Sequence, residues 1–431
     1  MTGAPCETYV SLLHLKNKDA ESIFNSIVTD LQMKSIDLSK TRFVSFDDAA
    51  VFSGIHNGVA ARFRAAFNIA ILFIYCRAHS LQLAVISAAE DSPDISRSLS
   101  ALKSLVNFIN RSSVRLSLFE NIQDIFRNQH IKLIQPGDTR WLTNSLAIRS
   151  LLQSYQSLLI TLESIYNENN EDSAEALGLY NMLSNEETAF ILHALRPILD
   201  TLATLSKSIQ IKAADFKQLQ DFLTSTLLRL EQLKDYSSND YVAIIETIQK
   251  LSLTSTTTRI SRSSISNLEL NVSEVFSTKV LPFIENVINN IQARVEHGTL
   301  NLLNCFMIFD MENLNDNKDY GDEEIRTIQH HYASDIDESI MYEWKTFRTY
   351  LLAKKTVEIY PQLSLAAEIF LVVPISTATV ERNFSTMNRI LTELRNQLTT
   401  QYVDQLMRIS IEGPDTLNEE IKEEIINYWK N

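Results

Sequence analysis

The runs of β-branched and aromatic residues in this chain fall before position 77, and helical spacing fills nearly everything after it. Tyr9-Val10-Ser11-Leu12-Leu13-His14-Leu15, residues 41–46 and residues 69–75 read as strands, the last as a buried one. Between the first two, Ile23, Ile27 and Leu31 recur on one face of a helix over 19–32. Further helices are expected over 80–89, 95–111, 115–127, 142–163, 186–210, 216–233, 242–251, 272–294, 336–353 and 363–371. Such a division confines the fold to an α/β core at the front that carries a large helical block. Eight glycines and eight prolines in 431 residues are too few for a turn-rich β fold. The Ser/Thr-rich stretch 253–266 reads as a linker within the helical block.

The tail changes character again. Pro374-Ile375-Ser376-Thr377-Ala378-Thr379-Val380-Glu381-Arg382-Asn383-Phe384-Ser385 places one acid among small and apolar residues, ahead of a helix that continues through Met387, Ile390 and Leu394. A carboxylate at the start of a helix that packs on a core is costly unless something pairs with it. Metal ions and arginines are the usual partners, so Glu381 directs attention to a second acid near the front.

Asp47 is the candidate. It follows the strand that ends at Phe46, and ligand-binding groups of α/β folds gather at the carboxyl ends of strands. The bland alternative is that Asp47-Asp48 only caps a helix. Cys76-x-x-His79 has the spacing of half a zinc site, but a structural site needs a second pair. A buried cysteine and a hydrogen-bonded histidine at a strand-to-helix junction is the simpler expectation, so no structural zinc is expected. Arg140-Trp141 reads either as core packing with a surface guanidinium or as a pair that contacts phosphate and stacks on a base. His330-His331 reads as part of a solvated acidic loop.

Net charge is −14, which argues against strong non-specific binding of duplex DNA. A local basic groove stays compatible with it, because acids cluster at 167–175 and 310–324. Three scattered cysteines do not make a disulfide framework and point to a reducing compartment. No apolar run reaches membrane-spanning length, and the first residues carry no secretory-signal pattern.

Taken together, the motifs resemble the hAT family of DNA transposases and their host-adopted descendants. Phe46-Asp47-Asp48-Ala49 with His56-Asn57-Gly58 is similar to the family's segment around its second catalytic Asp. Cys76 to His79 resembles its Cys-x-x-His stretch, and Thr139-Arg140-Trp141 its Arg-Trp element. The strongest likeness runs over 360–409, including Pro374, Glu381-Arg382, Phe384-Ser385 and Arg395-Asn396, and resembles the hAT C-terminal dimerisation region.

The resemblance implies an RNase H-like mixed sheet split by a large helical insertion, in a chain that is mainly helical. The parts would be residues 1–92 and 356–431 for the core and 93–355 for the insertion. It implies an Asp-Asp-Glu triad holding two Mg²⁺ or Mn²⁺ ions, with Asp47 and Glu381 as the second and third acids and as metal ligands. Arg140, Trp141 and Arg382 would contact DNA. The triad's first Asp would precede residues 9–15 and is not found in this chain. The expectation is therefore a truncated or host-adopted transposase that leans away from catalysis. It would act as a homo-oligomer in the nucleus, with DNA contact as a secondary capacity. The alternatives are an active cut-and-paste transposase with an incomplete gene model and a protein-binding helical scaffold. Leu363, Ala366, Ile369, Phe370, Ile390, Leu394, Leu398, Leu406 and Ile409 form the apolar stripe expected to serve both core and dimer.

Overall fold

The computed structural model describes residues 6–47, 49–126, 130–137, 141–210, 216–254, 272–295, 299–309, 319–351, 360–374, 376–393, 395–414, 416 and 418–430. The chain divides into two compact units, residues 1–76 with 301–431 and residues 77–300. The first is thus assembled from both ends of the sequence.

Its centre is a pair of parallel strands, β1 (Phe43–Phe46) and β2 (Leu72–Tyr75), registered Phe43 to Leu72 and Phe46 to Tyr75. A parallel pair needs a crossover, and the helix Val59–Ala66 supplies it. Alternation along the strands sends side chains to two different cores. Val44 and Phe73 join Ile23, Val59, Phe63 and Ile71, with Phe46 and Tyr75 packed against them. The helix Ala20–Met33 contributes Ile23 to this layer and starts at Asp19, whose carboxylate caps the Ser22 amide. Phe43 and Leu72 face the opposite way, against Phe306, Ile325, Ile328, Tyr332, Trp344 and Ala366.

The expected mixed sheet of three strands does not appear among the described residues; the sheet has two strands, both parallel. Residues 9–15 are not a strand. The polar groups of Tyr9, Val10 and Leu12 are met by the helix Thr400–Glu412 instead. Asp404 Oδ1 accepts from the Tyr9 hydroxyl at 2.7 Å and the Leu12 amide at 2.6 Å. Glu412 accepts from the Tyr9 amide, and Arg408 donates to the Val10 carbonyl. Tyr9 packs with Val403 and Met407. Carboxylates nearly four hundred residues away therefore replace a neighbouring strand.

His330 and His331 also depart from expectation. They end the helix Asp322–His331 rather than lie in a loop, and His331 Nε2 donates to the Ala70 carbonyl at 3.0 Å. Arg42 pairs with Asp335 beside it. Both contacts fix this helix to the entrance of the sheet. Gly321 precedes the helix with φ at +79°, and a β-carbon there would fall 2.5 Å from the fully buried Trp344 ring. Gly321→Ala is expected to destabilise this unit by on the order of 2–4 kcal/mol, from the left-handed backbone and the overpacking together. Urea unfolding followed by tryptophan fluorescence measures it; an unchanged midpoint would mean that the ring yields without cost.

In the second unit the helix Glu186–Ile209 is the organiser. It is buried all round from Ala189 to Leu195 and keeps a buried face on to Leu205, and the helices Trp141–Gln153, Phe216–Gln232 and Asn239–Thr254 pack on it. The helix Arg77–Glu90 packs on Leu281–Val295, where buried Arg77 donates to the Arg294 carbonyl at 3.2 Å. The Ser/Thr-rich stretch 253–266 lies outside the described residues except for Leu253 and Thr254, which end a helix.

His193 is buried in the central helix with Nδ1 2.8 Å from the Ala189 carbonyl, and burial holds its pKa below the usual value. The unfolded chain takes up that proton at a pH near 6.5, where the folded chain still resists it. This group's contribution is therefore complete above pH 6.5 and is lost as the pH falls through the window below. Thermal unfolding of wild type should lose more stability between pH 7 and pH 5 than that of His193→Gln; equal losses would contradict the burial argument.

Candidate functional site

The carboxyl end of the two-stranded sheet brings two of the expected site residues to one place. Asp47 directly follows β1, and Cys76 directly follows β2. The Cys76 amide donates to the Phe46 carbonyl at 3.1 Å, which continues the ladder by one rung. The Cys76 side chain is buried, and its Sγ accepts from the Thr377 amide at 3.3 Å and the Thr377 hydroxyl at 3.1 Å. Thr377 is the residue ahead of the helix Ala378–Ile390, and its carbonyl receives the Glu381 amide at 3.0 Å. Cys76 thus acts as a hydrogen-bond acceptor that seats the start of the Glu381 helix on the sheet. Spacing alone suggested half a metal site there and gave no sign of this role.

Neither carboxylate is buried. Asp47 is exposed, and its Oδ1 accepts from the Ala49 amide at 3.2 Å, a turn contact rather than a true helix cap. Glu381 is exposed as well. The expectation of a costly acid against a core is corrected: the Glu381 helix buries Ala378 and Thr386 and turns Glu381 to solvent. Water solvates the charge, so no ion or arginine is required to offset burial. Arg382 is also exposed, and its Nη2 donates to Thr379 Oγ1 at 2.8 Å.

His79 lies in the first turn of the helix Arg77–Glu90, in the second unit, half-buried. Arg140 falls outside the described residues, and Trp141 begins the helix Trp141–Gln153. Among the described residues no three His, Cys, Asp or Glu side chains come together as ligands for one ion.

The apolar stripe expected of the tail separates into three populations. Leu363, Ala366 and Ile369 are buried in the core beside Trp344, with Phe370 stacked on Phe306. Ile390 and Leu398 pack around Tyr9, Val403 and Met407, while Leu394 lies outside the described residues. A third set faces water. Phe384 is 49% exposed, and Val380, one turn earlier on the same helix face, is 50% exposed. On the helix Thr400–Glu412, Tyr402 is 61% and Ile409 69% exposed, with half-buried Leu406 between them at i, i+4, i+7 spacing. Val380 and Tyr402 were not singled out by the sequence, although their spacing to Phe384 and Ile409 carried the signal.

Comparison with protein families matches residues 332–410 to the hAT family C-terminal dimerisation region. Val380, Phe384, Tyr402 and Ile409 all fall inside the match. It covers less than half of the chain, and it supports hAT family membership and a capacity for dimerisation. No helix among the described residues is long and apolar enough to cross a membrane.

Proposed function

We propose that this protein is transposase-derived and works as a homodimer, joined through the exposed apolar faces of the Glu381 and Tyr402 helices. The observation that carries the reading is their exposure within a matched dimerisation region. Isolated exposed apolar side chains are ordinary, but i, i+4 and i, i+4, i+7 sets on two packed helices make a face that a second surface can cover. Light scattering on the eluting protein at low micromolar concentration tests it: a mass near 98 kDa is expected, about twice the 49.1 kDa of one chain. A mass near 49 kDa at high concentration would remove the reading.

Asp47 and Glu381 are read as the second and third acids of an Asp-Asp-Glu centre. Asp47 follows β1 at the carboxyl end of the sheet, where open α/β sheets gather ligands, and Cys76 seats the start of the Glu381 helix at that same end, which supports the assignment. The donor set does not fit a resident two-ion centre. Two solvated carboxylates, without a third ligand side chain among the described residues, cannot hold a pair of ions. The protein is accordingly read as a binding protein rather than a nuclease. Contact with DNA, through Arg140, Trp141 and Arg382, would be local in a chain of net charge −14, and a nuclear setting follows from the same kinship.

A further inference from the structure

The helix Glu419–Lys430 lies beyond the matched dimerisation region, and all of its described side chains are exposed. Ile421, Ile425 and Tyr428 recur at i, i+4, i+7 and are 39%, 44% and 86% exposed. A helix of 12 residues is marginal in water on its own, and burial of an apolar face is what usually stabilises one in a protein. Three large side chains on one stripe show which face that is.

We infer that this terminal helix is an exchanged arm, seated on the Tyr402–Leu406–Ile409 stripe of a second copy of the chain. The inference rests on the dimer reading above and specifies how the dimer is closed. Four acids, Glu419, Glu420, Glu423 and Glu424, surround the arm's apolar stripe against two lysines, Lys422 and Lys430. That charge disfavours a nucleic acid or an anionic membrane as the occupant and leaves a protein surface.

The stripe on the Tyr402 helix has the same spacing and is uncovered in its own chain. The two helices are joined through residues 413–418, and the chain leaves the first in an extended conformation at Gly413, with Pro414 next. Six residues reach about 20 Å, enough to send the arm away from the helix it follows. One seated arm is small beside the roughly 800 Å² per partner of a stable interface. Exchange related by a twofold axis provides two such contacts for one dimer, which doubles the buried area.

Two sets of full-length chains test this. In a Cys6→Ser background, which removes the exposed native thiol, a chain carrying Ile409→Cys is mixed with a differently tagged chain carrying Ile425→Cys and oxidised. A disulfide-linked heterodimer is expected, with little cross-linking of either chain alone. In parallel, Ile421→Glu/Ile425→Glu/Tyr428→Glu is expected to raise the dissociation constant at least a hundredfold with unchanged helix content, since these side chains are exposed in the single chain. A wild-type dimer that survives the triple substitution and gives no mixed disulfide overturns the arm and leaves dimerisation through the matched region standing. A third chain that carries both Ile409→Cys and Ile425→Cys and closes its disulfide only within itself overturns the arm as an exchanged element. A wild-type monomer removes both readings.

Discussion

Tyr402→Glu together with Ile409→Glu is expected to convert the dimer to a monomer at every concentration accessible to light scattering, with helix content unchanged. Each substitution removes apolar burial of about 1.5–3 kcal/mol. It also leaves a carboxylate to be desolvated without a partner, which costs several kcal/mol more. In a twofold dimer each change is counted twice, so the total exceeds the roughly 8 kcal/mol that corresponds to micromolar association. Folding should be spared, because both side chains are largely exposed in the single chain. Leu363→Glu provides the contrast. Leu363 is 5% exposed and packs in the core with Trp344, so a charge there should unfold the unit rather than separate two intact copies. A Tyr402/Ile409 variant that stays dimeric would move the interface off this helix.

The contrast between Leu363 and Tyr402 shows what the sequence could and could not convey. Both belong to helices of similar amphipathic spacing, and spacing reports which residues share a face, not what covers that face. Strands β1 and β2 are legible because β-branched and aromatic residues run together within 41–46 and 69–75. Residues 9–15 carry the same kind of pattern, yet Asp404 and Glu412 supply the partners of Tyr9 and Leu12, and no local rule anticipates carboxylates so far along the chain. Glu381 stands out in the sequence by its isolation among small residues, and the start of its helix is seated on Cys76 at the end of the sheet. Its exposure is not legible in the sequence, because the covered face of the helix is the one that carries Ala378 and Thr386, and spacing does not say which face is covered. The role of Cys76 was hidden for the same reason: its donor, Thr377, is three hundred residues away.

Supplying the purified protein with Mg²⁺ or Mn²⁺ is expected to give no cleavage or joining of DNA above the level of a Glu381→Gln control. Two-ion phosphodiester chemistry needs ligands that hold both ions in register, one to activate the attacking oxygen and one to stabilise the leaving oxygen. Losses within such a unit compound rather than add, so a set with no third ligand among the described residues forfeits most of the rate and not a fraction of it. Asp47 and Glu381 both face water, and Asp47 already accepts from the Ala49 amide. Exposed carboxylates hold Mg²⁺ weakly, because the ion gives up its hydration reluctantly and little is gained by displacing water at a solvated group. Calorimetric titration should accordingly show divalent binding no tighter than about millimolar, and Asp47→Asn should leave it nearly unchanged. Plasmid nicking that requires both Asp47 and Glu381 would overturn this expectation. It would mean that the sheet end acquires its remaining ligands on binding DNA or a second chain, and the dimer would then be the catalytic unit.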